Sequence, residues 1–441
     1  MIHYVKINNF GPVKDQVELN FEVGEGIEED AYEVAMPDGK RLLKLAYIYG
    51  ANASGKTTLL DAIEFMKDLL LNPLGKKSDE LEFEPFLLCK EPYGNLSSFE
   101  LSFYTEGVRY IYEVAFNKQS ILNEKLIFYK SAKPTELFSR ETDLAKKLTR
   151  IQFGNSAKVS VREKDLLESN TLHNNTVFGA FTKTNADIPF LDKISTWFGE
   201  FFLEDLSNNE YLNALTAVKI HNSEDVNTWM NEFLNKADNQ VVAVSVPDLM
   251  EQMTNKLKSN LNVMSLDLLG KRNTSMSFGR AELNLEKKSD EFRVDLIHRI
   301  NQTESYTLPL AKESKGTQRY FGLGGPLYDL VHGSHFLCID ELENSLHADL
   351  MKHFLQLFLM NAKSSQLLIT THNLSLMEDS DFIRRDALWF TEKSTDGGVS
   401  LYAASDFDTS VLRKDANLSK AYKAGRLGAK PNLGSPYMTE N

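Results

Sequence analysis

Eight residues constrain this chain more than any others. Gly50-Ala51-Asn52-Ala53-Ser54-Gly55-Lys56-Thr57 fits the pattern G-x-x-x-x-G-K-[ST]. An apolar run from Leu42 to Tyr49 precedes the turn, and Leu59, Leu60, Ile63, Met66 and Leu69 follow it at helical spacing. The expected order is buried strand, glycine turn, helix. Glycines let the backbone curl so that successive N–H groups face phosphate oxygens, and the helix start adds its positive dipole end. Lys56 would reach the β and γ phosphates, and the Thr57 hydroxyl would coordinate Mg²⁺. The expected nucleotide contacts are Gly50, Asn52, Ala53, Ser54, Gly55, Lys56, Thr57 and Thr58. The octapeptide alone can arise by chance, but the strand before it and the helix after it make nucleotide binding the expectation.

Three further clusters gain meaning beside that turn. His335-Phe336-Leu337-Cys338-Ile339 reads as a buried strand ending in Asp340-Glu341. Open α/β sheets place their chemistry at such strand ends. Asp340 would hold Mg²⁺ through water, and Glu341 would act as general base on the water attacking the γ-phosphate. Solvated acids at a helix start are the plainer alternative. Glu313-Ser314-Lys315-Gly316-Thr317-Gln318-Arg319 precedes a helix. There Ser314, with the N–H groups of Lys315 and Gly316, makes either a second anion site or a simple N-cap. His372 follows the strand Gln366–Thr370 and is expected to sense the γ-phosphate as a switch, the alternative being a structural hydrogen-bonder.

The rest of the chain supplies the frame. Val5 and Ile7, then Val17, Leu19 and Phe21, alternate around Gly11-Pro12 as a hairpin. Phe99 to Tyr129 has period two and reads as an antiparallel meander. Helical periodicity dominates from about Thr135 to Glu291, with aromatic stripes at Phe190, Ile194, Trp197, Phe201 and at Val226, Trp229, Met230, Phe233. Such stripes are expected to pack into a core. From Phe292 strands and helices alternate, as in a parallel sheet with helical crossovers. No heptad pattern persists, so a long coiled-coil arm is not expected.

Composition excludes several classes. In 441 residues there are 49 Lys and Arg against 62 Asp and Glu, a net charge of −13, which argues against a general nucleic-acid coat. Cys89 and Cys338 are the only cysteines and cannot frame a disulfide scaffold. No apolar run approaches the ~18–20 residues of a membrane span, and the first residues lack the apolar core of a secretory signal. A cytoplasmic protein without membrane contact is expected. The acid gathers near Glu25, Glu28, Glu29, Asp30 and Glu33, while the segment Arg413–Lys430 carries +5. That basic segment is a docking or nucleic-acid surface, or simply a solvated face.

Taken in order, the phosphate turn at Gly50, the signature turn at Ser314, the acid pair at Asp340-Glu341, a contact loop at Ser345 and the switch His372 resemble the ABC-type ATPase heads of the RecF and SMC kind. The opening I-x-x-V-x-I-x-N-F-G-P is similar to the first strand of that superfamily. E-S-K-G-T-Q-R, R-R-D-A-L-W-F-T-E-K at Arg384–Lys393 and Y-K-A-G-R-L-G-A-K-P at Tyr422–Pro431 resemble the anti-phage defence ATPases of the RloA and AbiLi type and the AriA component of PARIS systems. The resemblance implies an α/β P-loop NTPase of ABC type, with a mixed sheet, an antiparallel β-subdomain and a helical insertion. It implies residues 1–134 as the first part of the head, 135–291 as a mainly helical insertion, 292–400 as the second part and 401–441 as a basic segment. It implies ATP and Mg²⁺ as cofactors and a homodimer or higher oligomer closed around ATP, with Ser314 and Gly316 of one subunit completing the site of the other. It also implies a separately encoded effector, a nuclease of the TOPRIM or RloB type.

Some features depart from the pattern. The glycine pair of the usual L-S-G-G-Q is reduced to Lys315-Gly316. Gly322, Gly324, Gly325 and Pro326 should kink or break the helix after it. Gln152 is one of several candidates for a Q-loop glutamine. The alternative function is a RecF-like repair ATPase clamping duplex DNA. A fused nuclease would need the acidic pair Asp379 and Asp381, which has no room for a further domain around it. A transporter ATPase is disfavoured by the first strand.

Overall fold

The structure is a computed structural model and describes residues 1–24, 31–203, 209–238, 240–247, 293–378, 383–408, 412 and 416–430. Glu25 to Asp30, the Asp379–Asp381 pair, Phe292, Arg413, Lys414, Pro431 and the part of the expected insertion from 248 to 291 lie outside the described residues. The chain divides into two compact units. One comprises residues 1–205, 330–344 and 354–441; the other comprises 206–329 and 345–353.

In the first unit the chain runs β1 (Ile2–Asn8), β2 (Val17–Asn20), β3 (Glu33–Ala35), β4 (Arg41–Leu43), β5 (Leu45–Gly50) and α1 (Lys56–Leu71). Five long strands follow: β6 (Ser97–Thr105), β7 (Val108–Phe116), β8 (Ile121–Tyr129), β9 (Pro134–Asp143) and β10 (Leu148–Phe153). Then come α2 (Val161–Asn170), α3 (Val177–Phe181) and α4 (Pro189–Phe201). The second unit contributes α5 (Asn209–Asn222), α6 (Glu224–Ala237), β11 (Val241–Ser245), β12 (Asp295–Arg299), β13 (Ser305–Pro309) and most of α7 (Lys315–His332). The chain closes with β14 (Phe336–Ile339), α8 (Ala348–Asn361), β15 (Gln366–Thr370), β16 (Leu388–Lys393), β17 (Val399–Ala403) and α9 (Leu418–Lys423).

Two sheets organise the first unit. The order β14-β15-β5-β16-β17 is parallel except for the last pair. Its strands β5 and β15 are buried along their length and mainly apolar, with Gln366 and Thr370 at the two ends of β15. The order β10-β9-β8-β7-β6-β1-β2 is antiparallel throughout, and Lys6, Glu100, Glu113 and Lys125 fall opposite one another across it. The initial hairpin and the meander are therefore present as expected. Gln366, fully buried, ties the sheets together: its amide donates to the carbonyls of Ile2 at 2.9 Å and Leu43 at 3.0 Å.

The helical stretch expected from residue 135 starts instead near Val161, because β9 and β10 extend the antiparallel sheet. Period-two alternation in Thr149-Arg150-Ile151-Gln152-Phe153, pairing onto β9, outweighs the helical spacing around it. The boundary expected at 400 likewise falls inside β17, which pairs with β16 from Val399 to Ala403. Helices start where caps allow: Ser160 and Glu163 form a reciprocal capping box at α2.

Aromatic packing fills the core. Phe65 of α1 lies among Phe10, Phe83, Phe99 and Phe116 with ring centroids 5.3 to 6.1 Å apart. The stripe on α4 packs as the core face it resembled, with Trp197 stacked on Phe103 at 4.6 Å and Phe201 against Phe336 at 6.1 Å.

In the second unit α7 is continuous from Lys315 to His332, with no break at its glycines or at Pro326. Proximity explains this. A Cβ on Gly324 would lie 2.5 Å from Met230 Sδ, and one on Gly325 would lie 2.4 Å from Thr216 Oγ1, so these glycines let α5 and α6 approach closely. Pro326 has no N–H for the Gly322 carbonyl, and the Thr216 hydroxyl supplies the missing bond at 2.7 Å. Phe233 of α6 stacks on Tyr320 at 4.4 Å, completing the contact.

Candidate functional site

Strand β5 ends at Gly50, and the turn it feeds reverses direction through two left-handed residues, Ala53 at φ 62° and Gly55 at φ 97°. Only glycine fits the second cheaply, because a Cβ there would also meet Val399 at 2.7 Å. Gly55 caps α1, whose first turn carries no acidic residue. Its exposed amide end therefore favours anions. Asn52, Ala53 and Thr57 are exposed, Thr58 is half-buried, and Ser54 is buried with its hydroxyl 2.6 Å from that of Thr391 on β16. The helix grows from the turn because Leu59, Ile63, Met66 and Leu70 bury one face beneath it.

Lys56 is almost fully buried, and its ammonium donates to the carbonyls of Gly50 at 2.9 Å and Ala51 at 3.2 Å. Burial lowers its pKa, while Asp340, Glu341 and Glu343 pull it back up. The lysine is thus held at the mouth of the turn among three carboxylates.

Parallel pairing brings the acid pair and the histidine to the same edge, since β14, β15 and β5 end together. The Thr57 hydroxyl donates to Asp340 Oδ2 at 2.8 Å, and the Thr370 hydroxyl donates to the other carboxylate oxygen. Thr370 Oγ1 in turn accepts the Glu341 N–H at 2.8 Å. One hydroxyl at the end of β15 therefore orients both acids. Glu341 adopts φ 47°, an uncommon conformation for a side chain of its size, and its carboxylate is half exposed. His372 Nε2 lies 3.8 Å from Glu341 and 3.4 Å from Glu343, whose Oε1 also accepts the His372 backbone N–H at 2.6 Å.

Residues expected to act together thus fall into two groups. Gly50, Lys56, Thr57, Asp340, Glu341 and His372 converge on one edge of the parallel sheet. Ser314, Lys315 and Gly316 belong to the second unit, where Ser314 Oγ accepts the Thr317 N–H at 3.0 Å and caps α7. A Cβ on Gly316 would lie 2.9 Å from the Ser345 carbonyl, so signature turn and contact loop touch within that unit. Gln152 is an exposed residue of the outermost strand β10, paired with Ser139. Thr370, Glu343 and Thr391 complete the site without having been singled out in the sequence. The only signals were a hydroxyl closing a buried strand and a third acid after Asp340-Glu341.

The residues fit a hydrated Mg²⁺. Thr57 and Asp340 present two oxygens 2.8 Å apart, and Mg²⁺ is commonly held by one or two protein oxygens plus phosphates and water. Among the described residues no group of three or more His, Cys, Asp or Glu side chains could hold a metal by itself. No helix among them is long and apolar enough to cross a membrane.

No curated protein matches the sequence. Among solved structures, the SMC head domain from Thermotoga maritima is 13% identical, covering 91% of this chain and 98% of that one, with a TM-score of 0.40. An SmcHead bound to the C-winged helix domain of ScpA is 12% identical over 91% and 97%, with a TM-score of 0.43. An Smc head domain with an extended coiled coil, bound to the C-terminal domain of ScpA derived from Pyrococcus furiosus, is 14% identical over 96% and 98%, with a TM-score of 0.39. A family model described as "AAA domain, putative AbiEii toxin, Type IV TA system" matches residues 45–177 and 190–378. That span runs from β5 through the turn, the acid pair and His372. The chain belongs to this family.

Proposed function

We propose that this protein binds and hydrolyses ATP as the sensing and regulatory switch of a bacterial anti-phage defence module, holding or releasing a separately encoded effector. The observation that carries the ATPase reading is the bonded run Thr57–Asp340–Thr370–Glu341 beside Lys56. The defence reading rests on the R-R-D-A-L-W-F-T-E-K and Y-K-A-G-R-L-G-A-K-P segments and on a family described by a toxin–antitoxin system. A nuclease of the TOPRIM or RloB type is the effector we propose.

Each residue has a task in that reading. Lys56 turns from the Gly50 and Ala51 carbonyls to the β and γ phosphates. Thr57 and Asp340 would hold Mg²⁺, which when bound would supply positive charge against the phosphoryl oxygens. Glu341 accepts the proton of the attacking water, and His372 contacts the γ-phosphate. Ser314, Lys315 and Gly316 of a second copy close the nucleotide in a homodimer or higher oligomer, so turnover requires two chains.

Removing the general base tests this. Glu341→Gln should lower turnover by about three powers of ten while ATP binding persists, and the ATP-bound dimer should accumulate. Normal hydrolysis by purified Glu341→Gln protein would sink the assignment. A RecF-like clamp would instead bind duplex DNA with a steep salt dependence, measurable by anisotropy over a salt series. Co-purification with the product of the adjacent reading frame tests the effector.

A further inference from the structure

The third carboxylate of the strand-end cluster has no task in the mechanism above, yet it is far more enclosed than Glu341. Glu343 is 15% exposed, against 53% for Glu341. One of its oxygens, Oε1, reaches both ends of the same residue: it accepts the His372 backbone N–H at 2.6 Å and lies 3.4 Å from Nε2 of the ring. The other oxygen, Oε2, is buried and bonds to nothing in the described chain. A buried carboxylate oxygen without a donor costs stability. That position is costly as a purely structural one. His372 itself is 44% exposed and follows a strand that ends at Thr370, so little packing selects its rotamer.

We propose that Glu343 is a positioning residue for His372. It fixes the backbone by the N–H bond and selects the ring rotamer that carries Nε2 towards Glu341, 3.8 Å away. It acts through the histidine and touches neither nucleotide nor attacking water. The inference rests on the ATPase reading for its consequence, but its geometry can be tested without turnover.

The first readout is the His372 ring resonance in protein labelled at histidine ring carbons, assigned with His372→Ala. Glu343→Ala should shift and narrow that resonance as the ring gains freedom; an unmoved resonance overturns the proposal. If the wild-type protein shows no turnover, the ATPase reading fails and the resonance still decides the role of Glu343. In the active protein, Glu343→Ala should lower kcat about tenfold with KM changed less than about twofold. Glu343→Gln, whose amide oxygen can still accept the His372 N–H, should lose only about threefold. If Glu343→Ala fails to fold, Glu343→Gln carries both readouts, with a smaller resonance shift in the same direction. The Glu343→Ala/His372→Ala double variant should fall no further than His372→Ala alone. Additive losses, or equal losses in Glu343→Ala and Glu343→Gln, would overturn the proposal.

Discussion

The two motif-bearing regions are built in opposite ways. At the sheet edge of the first unit, side chains far apart in sequence bond directly to one another: Thr57 to Asp340, and Thr370 to Asp340. In the second unit Ser314 bonds to Thr317 and Gln318 to Glu313, both close in sequence, while the ends of the signature segment reach further, Glu313 to His298 and Arg319 to Asn209. The first region is a finished set of oriented groups. The second is a capped helix start whose Ser314 and Lys315 face solvent. A finished site can bind nucleotide alone, whereas an exposed capped turn gains a task only from what docks on it. That contrast yields a ranked set of tests.

The largest effects separate binding from closure. Lys56→Ala should abolish nucleotide binding and with it turnover, a loss of at least about three powers of ten in rate. Ser314→Arg should cost turnover on the order of a hundredfold or more by blocking closure of two copies, yet leave ATP affinity in the monomer intact. Fluorescent-nucleotide titration and size exclusion in a Glu341→Gln background distinguish the two. Lost ATP binding in monomeric Ser314→Arg would break the contrast between the regions.

How far this was legible follows from the same contrast. That Lys56, Thr57, Asp340 and Glu341 would meet at one sheet edge was legible because each follows a strand with an apolar run. The alternating Val5, Ile7, Val17 and Leu19 announced the hairpin in the same way. Thr370, Glu343 and Thr391 were not readable, because their roles come from parallel pairing between β5, β15 and β16. Local periodicity carries no register between strands hundreds of residues apart. Strands β9 and β10 were missed because their burial pattern admits polar residues such as Arg140, which is buried by bonds to the Ile121 and His173 carbonyls. The continuity of α7 was missed for the complementary reason, since the bond that replaces the one lost at Pro326 comes from another helix.

The units should also differ in how pH unsettles them. In the antiparallel sheet of the first unit Glu124 is fully buried, accepting the Tyr112 hydroxyl at 2.9 Å and the Val177 N–H at 2.8 Å. Burial pushes its carboxyl up to about 7, with Arg140 opposing the shift. The folded protein therefore keeps a proton there that the unfolded chain releases near the usual carboxylate value. Stability contributed by this group is complete at low pH and lost as pH rises through 7, a fall of about 3 kcal/mol. Denaturant unfolding at pH 5 and pH 8 measures it, and Glu124→Gln should flatten the difference. A stability that rises over this window would show that Arg140 dominates.

The smallest effect probes the second unit at a neutral contact, Thr216 to the Gly322 carbonyl, which should ignore pH. Thr216→Val removes the donor to the Gly322 carbonyl, which Pro326 cannot serve, and leaves a buried acceptor empty in α7. The expected cost is about 1–2 kcal/mol by denaturant unfolding. Restoring the missing N–H with Pro326→Ala should return the intrahelical bond, so that Thr216→Val then costs little. A double-mutant cycle should give a coupling of about 1 kcal/mol, the same at pH 5 and pH 8. No coupling would mean that the Gly322 carbonyl is satisfied in another way. In that case Gly324 and Gly325, by letting α5 and α6 close on the helix, would carry the continuity of α7 without the threonine.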